Sequence, residues 1–396
     1  MSEWREVKLN DYLEATSSKR IFAKEYVETG IPFYRSKEII EKEHGKEINN
    51  PLYISTERFN EIKNKFSTPV DGDILMSAVG ERSGIPYVVS NDGDFYFKDG
   101  NLIWLKDFKK DLSSAFLYRW FKSKYGQHIL SNSMIGSAQR ALTIQGIKNL
   151  VIQIPPLKEQ KAIAEVLSSL DDKIDLLHHQ NKTLEELAQT LFREWFVEEA
   201  GEGWEECKLR DFATHKKISI KPAQNPNDNF LHFSLPTFDT NKEPNITIGS
   251  DIKSNKYQVE PFSILMSKLN PKTSRVWDIY FEPKENSICS TEFQVVQPNN
   301  KSLFPFISTL LKSAKVTGEL AMSSSGTSGS HQRVKPEDIF NINFVTPSID
   351  RMKEFSELLE PNYLKQMKNQ NQIKTLENMR DTLLPKLMSG EVRVKF

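Results

Sequence analysis

Between residues 158 and 197, apolar side chains fall at Ile163, Leu167, Leu170, Ile174, Leu177, Leu184, Leu191 and Trp195, in steps of three and four or their sum. Asn181 and Ala188 fill the remaining seam positions. A heptad stripe over about five heptads predicts a long helix with one face against a partner helix. Pro155 and Pro156 bar its extension upstream. A second stripe follows Pro347 through Phe355, Leu359, Ile373, Leu376, Leu383 and Leu387. Its middle is more polar, with Asn362, Gln366 and Asn369 on the seam, and Pro361 predicts a bend or break there. Asn181 and Asn369 are placed to set the register if the two helices pair. The alternative is that each helix packs only on the domain before it.

Ahead of each stripe the pattern changes to short β-like runs separated by turn signals. Asp71-Gly72-Asp73 leads into Ile74-Leu75-Met76-Ser77, Ile85-Pro86 into Tyr87-Val88-Val89, and Asn91-Asp92-Gly93 precedes Phe95-Tyr96-Phe97. Residues 113–125 predict one helix carrying Phe116, Leu117, Trp120 and Phe121 on a face, matched later by Phe306, Ile307, Leu310 and Leu311. Both globular parts therefore predict a mixed α+β fold.

The two halves repeat one another. Trp4-Arg5-Glu6-Val7-Lys8-Leu9 returns as Trp204-Glu205-Glu206-Cys207-Lys208-Leu209, and Ile74-Leu75-Met76-Ser77 as Ile264-Leu265-Met266-Ser267. Gln139-Arg140 is matched to Gln332-Arg333, and residues 147–195 align with 339–387 without a gap. The interiors, 12–74 and 212–264, hardly agree. This divides the chain into a first domain (1–156), a helix (157–200), a second domain (201–349) and a closing helix with its tail (350–396). Similar frames with dissimilar interiors point to one scaffold presenting two different surfaces.

Charge sharpens the pairing. The chain is neutral overall, with 53 basic and 53 acidic residues. Residues 157–200 nevertheless hold 5 basic and 10 acidic side chains, and 361–396 hold 7 and 3. Opposite imbalances favour pairing of the helices with each other. Neutrality by itself gives no support to a nucleic-acid partner. Two cysteines, Cys207 and Cys289, exclude a disulfide framework. With no apolar run behind the first residues and none long enough for a bilayer, the expected location is the cytoplasm, with no membrane partner.

Two loops recur in each half. One follows the Ile-Leu-Met-Ser run and carries Arg82 and Ser83, or Lys268, Lys272 and Arg275. The other carries Ser137, Gln139 and Arg140, or Ser330, His331, Gln332 and Arg333. Small residues let a backbone approach phosphate, while Gln and Arg can bond bidentately to base edges. The competing reading is a pair of surface loops with incidental charge. No phosphate-binding Gly-x-x-x-x-Gly-Lys motif and no methyltransferase Asn/Asp-Pro-Pro-aromatic run occurs. His178-His179 lacks companions at metal spacing, and Asp71, Asp73 and Glu81 are better explained as turn residues than as a nuclease cluster. The expectation is a non-catalytic chain holding neither metal nor cofactor.

The run from Gln139-Arg140 through Pro155-Pro156-Leu157 and Glu159-Gln160-Lys161-Ala162-Ile163-Ala164 to Leu191-Phe192-Arg193-Glu194-Trp195-Phe196 resembles the central conserved region of Type I restriction–modification specificity subunits. Residues Leu383-Leu384-Pro385-Lys386-Leu387-Met388-Ser389-Gly390-Glu391 resemble their C-terminal conserved region. Trp4 to Leu9 and Trp204 to Leu209 look like the openings of two target-recognition domains, and the likeness covers essentially the whole chain. The second hinge departs, reading Thr346-Pro347-Ser348-Ile349-Asp350.

The resemblance implies tandem target-recognition domains, each followed by a long helix, with the helices paired as an antiparallel coiled coil. Each domain would read one half of a split, asymmetric sequence in double-stranded DNA. A helix of ~40 residues rises roughly 60 Å, against ~34 Å between successive major-groove faces, so the pair would act as a ruler for the spacer. Two methyltransferase subunits, using S-adenosylmethionine, and restriction/translocase subunits, using ATP and Mg, would supply the chemistry. Two alternatives stay open: a modification-only or Type IIB-like system, and a protein-binding coiled-coil scaffold.

Overall fold

The computed structural model describes residues 4–136, 140–240, 242–281, 286–324, 332–346 and 348–395. Contacts divide the chain into two units, one formed by residues 1–175 with 374–396, the other by 176–373. Each long helix gives one half to either unit.

In the first unit, Arg5–Lys8 pairs antiparallel with Val151–Ile154, so the opening strand and the last strand before the hinge close the domain. In the second, Glu205–Lys208 pairs with Asn343–Thr346 in the same way. A four-stranded antiparallel sheet recurs in both. Its order is Glu14–Thr16, Leu102–Lys106, Ile74–Ser77, Pro86–Val88 in one unit. In the other it is Ala213–His215, Phe293–Pro298, Ser263–Ser267, Val276–Ile279. The central Ile-Leu-Met-Ser strands are buried on both faces, which explains their unbroken apolar reading.

The second sheets share only a core. Leu52–Ile54, Ile31–Tyr34 and Tyr96–Phe97 correspond to Asn245–Ile248, Asn229–Phe233 and Ser287–Ser290, with one antiparallel and one parallel junction in each. Beyond that they diverge. The chain before the Ile-Leu-Met-Ser strand is a helix, Thr56–Phe66, in the first unit. In the second it is an added strand, Lys256–Gln258, laid against Ser287–Ser290. The poor agreement of the two interiors in sequence thus corresponds to different secondary structure on a common frame.

The single helix expected over 113–125 is two, Ser114–Lys122 and Lys124–Ser133. Ser123 breaks it: its hydroxyl donates to the Trp120 carbonyl at 2.7 Å and accepts from the Gly126 amide at 2.9 Å. Gly126 is required, since a Cβ there would lie 2.0 Å from the Trp120 oxygen. Ser313 makes the same break between Phe304–Lys312 and Ala314–Ser323.

The long helices are Leu157–Arg193 and Ile349–Ser389. The break expected at Pro361 is absent. Pro361 and Glu357, whose carbonyl loses its amide partner, are both exposed, so water can satisfy that carbonyl. Phe355, Leu359 and Tyr363 meanwhile hold the helix by burial.

Within each unit the helices run antiparallel. In the first, Asp171 pairs with Arg380 at 3.1 Å and Glu159 with Arg393. In the second, Asn369 Nδ2 donates to Asn181 Oδ1 at 2.8 Å, Phe192 meets Phe355 edge-on, and Arg351 reaches Glu199 at 2.9 Å. Neither pairing nor domain packing alone describes the helices. Ile163, Leu167, Leu387 and Met388 join the main core of the first unit. Ala188, Phe192, Phe355 and Leu359 join that of the second. Of the other seam leucines, Leu170, Leu184, Leu191, Leu376 and Leu383 are half-buried, while Ile174, Leu177 and Ile373 are buried.

Candidate nucleic-acid interface

The hairpin loop after each Ile-Leu-Met-Ser strand spans eight residues, 78–85 and 268–275, closed by Ser77 N to Ile85 O at 3.0 Å and Ser267 N to Arg275 O at 2.9 Å. Inside it both units make the same turn: Ser83 N donates to Gly80 O at 3.1 Å, and Thr273 N to Asn270 O at 3.0 Å. Gly80 (φ 90°) and Asn270 (φ 51°) open the turn with left-handed backbone, a conformation those two residue types tolerate. Arg82 and Lys272 therefore occupy one turn position, and both are exposed.

The second loop docks beside the first. Leu142 N donates to Ala78 O at 2.8 Å, and Val334 N to Lys268 O at 2.9 Å. Val79 bridges Ala141 as Leu269 bridges Arg333. The two loops singled out in sequence are thus hydrogen-bonded together in each unit. Gln139, Ser137, Ser330 and His331 lie outside the described residues.

These ladders correct the alignment of the Gln-Arg pairs. Because Ala141 stands where Arg333 does, Arg140 corresponds to Gln332 and not to Arg333. A one-residue slip along an extended strand turns a side chain to the other face. Arg333 instead meets Glu292, at 3.2 Å from Nε and 3.3 Å from Nη2. Glu292 takes the place of Asn101, as the amide bonds Lys268 N to Glu292 O and Ala78 N to Asn101 O show, so the first unit has no such pair. The Glu292 carboxylate holds the Arg333 guanidinium above its usual pKa through that hydrogen bond. Arg275 is likewise held, by both oxygens of Asp239 at 2.6 and 3.0 Å. Arg140 is exposed and donates to Ser131 Oγ at 3.0 Å.

Lys217, outside both loops, lies close enough to His215 to act on it. With Lys268 it depresses the protonation of His215, whose ring is already penalised by burial.

Asp73 is buried, its Oδ2 accepting from Trp104 Nε1 at 2.8 Å and from Val70 N at 3.0 Å, while Asp71 accepts from the Asn91 amide. Both hold turns. Among the described residues no group of three or more His, Cys, Asp or Glu is placed to hold a metal ion, and no helix is long and apolar enough to cross a membrane.

The hinge has a structural explanation. Gln160 is fully buried, its amide bonding the carbonyls of Asp111 and Pro155 and accepting from Ser113 N. Glu159, 1% exposed, holds Arg393.

Residues 1–186 match the family described as the Type I restriction modification DNA specificity domain. The chain is 27% identical over 314 residues to the Type I restriction enzyme MjaIX specificity subunit of Methanocaldococcus jannaschii, covering 72% of this chain and 71% of that one. It is 34% identical over 168 residues to a putative Type I specificity subunit of Haemophilus influenzae, covering 42% and 40%. The crystal structure of a Type I restriction–modification S subunit from M. genitalium shares the fold, with a TM-score of 0.61 at 15% identity over 98% of this chain and 96% of that one.

Proposed function

We propose that this chain is a specificity subunit of a Type I restriction–modification enzyme, and that it recognises a bipartite, asymmetric sequence in double-stranded DNA, each unit reading one half-site. The observation that carries this reading is the loop pair, assembled by the same hydrogen bonds in both units beside second sheets that differ. A scaffold has no reason to keep the loops while changing what surrounds them.

The chain would direct partners and perform no chemistry itself. Two methyltransferase subunits would bring S-adenosylmethionine, and restriction/translocase subunits ATP and Mg. Its place would be the cytoplasm, where the DNA lies.

Replacing residues 201–349 by the corresponding domain of another specificity subunit tests the reading. In the reconstituted methyltransferase complex, mapping of methylated adenines should show one half-site changed and the other kept. An unchanged target, or methylation without a bipartite preference in the parent complex, overturns it.

A further inference from the structure

The two units offer an internal control that neither offers alone. Where their sequences diverge, a feature kept in both belongs to the shared task, and one present in a single unit belongs to that unit's own task. Applied to the cations around the loop pairs, this sorts them into three kinds.

Arg82 and Lys272 are the kept feature. They sit at the third position of the same turn, with residue 80 or 270 left-handed before it and the same closing amide bond. Among the described residues neither has a carboxylate partner, whereas Arg275 and Arg333 nearby are each gripped by one. The residue before each is not kept: Glu81 precedes Arg82, and Pro271 precedes Lys272. An exchange of Arg for Lys retains a point charge but not a bidentate fork. A phosphate accepts either as a point charge, whereas at a guanine edge the exchange gives up the planar fork.

Arg140 and Gln332 are the second kind, one place on the adjacent strand filled by two residues of different hydrogen-bonding pattern. Gln332 Oε1 is buried with no partner among the described residues, which leaves its amide a free-energy reason to turn toward a donor. Arg333 is the third kind, occurring in one unit only and held by a carboxylate that unit alone supplies.

We propose that Arg82 and Lys272 are equivalent phosphate anchors, one per half-site, and that Arg140 and Gln332 are the equivalent base-reading residues, fitted to a guanine and an adenine edge respectively. Arg333 is a positioning residue that ties the second loop to Glu292, just before the Phe293–Pro298 strand. This assignment rests on the DNA-recognition reading above and deepens it.

The test uses the complete chain in its methyltransferase complex. Binding is measured by fluorescence anisotropy on a duplex carrying the mapped target, on duplexes changed at single positions of either half, and on a scrambled duplex, across a range of KCl. Arg82→Ala and Lys272→Ala should each weaken all duplexes by a similar factor and lower the slope of log affinity against log salt by about 0.9. Arg82→Lys should restore both. Gln332→Ala should relax selectivity at one adenine of one half-site by about 5- to 150-fold, and Arg140→Ala at one guanine of the other. Arg333→Ala should leave base preference intact. Altered base preference in Arg82→Ala or Lys272→Ala, an unchanged salt slope, or relaxed preference in Arg333→Ala overturns the assignment while the parent complex still discriminates. If the parent complex binds target and scrambled duplexes alike, the DNA-recognition reading itself has failed. Melting temperatures of the variants separate lost contacts from lost folding.

Discussion

Glu159 and Arg351 stand at equivalent places, three residues beyond the proline that ends each domain or one step later, and each is joined to an oppositely charged partner. The polarity is reversed: an acid on the first helix grips Arg393, and a base on the second grips Glu199. Removing Arg393 leaves the buried Glu159 carboxylate without its strongest partner, so Arg393→Ala should lower the melting temperature. Glu159→Gln in that background should recover part of the loss, because a neutral amide is cheaper to bury. A double variant no more stable than Arg393→Ala would count against this account. His232 gives a pH prediction. Burial, then the nearby Lys256, pushes its pKa down to about 4, and its Nε2 has no partner among the described residues. The unfolded chain binds a proton near pH 6.5 that the folded chain refuses, so stability is full above 6.5 and falls as pH drops toward 4. His232→Gln should flatten the melting-temperature profile between pH 7 and 5, and an unaltered slope would show that another group governs it.

At the scale of elements, the Asn181–Asn369 hydrogen bond is a polar step in the seam beside Leu177, Leu184 and Ile373. A buried asparagine at a seam position specifies register at a cost in stability. Asn181→Leu/Asn369→Leu should therefore raise the melting temperature. It should also speed amide exchange in residues 366–373, as alternative registers become populated. Slower exchange there would remove the asparagines from that role. This pair was legible in sequence, because heptad spacing alone puts both asparagines on the seam. So were the helices, the Ile-Leu-Met-Ser strands and the two loops. The helix break at Ser123 was not, since Phe116 to Phe121 and Leu130 continue the apolar face while only a serine hydroxyl bonding the Trp120 carbonyl and the Gly126 amide marks the stop. Nor was survival of the helix through Pro361, which depends on an exposed carbonyl. The one-residue shift between Arg140 and Arg333 escaped because identical letters outweighed the ungapped spacing of the helix that follows. Backbone ladders, not residue identity, set the register.

For the whole molecule, the first unit is discontinuous in sequence: residues 374–396 return to complete what residues 1–175 begin. Leu387 and Met388 lie in one core with Ile163 and Leu167, and a side chain at Gly390 would press on the Trp4 ring. Deleting residues 374–396 should open the first unit to protease while the second resists, as seen by limited proteolysis and mass spectrometry of the fragments. Equal susceptibility of both would contradict the division. Leu167→Ala should destabilise the same unit by about 2–5 kcal/mol.

That discontinuity has a consequence for biosynthesis. A ribosome delivers residues 1–175 first, yet their closing segment only after the entire second unit has been made. The second unit is continuous and can fold as it emerges. The first must wait with the face of residues 157–175 uncovered, so the unit translated earlier is the one finished last. Each nascent chain thus carries an exposed apolar surface for the time needed to synthesise residues 176–373. During that interval, another nascent chain's residues 374–396 could compete for the face that the chain's own copy will later cover.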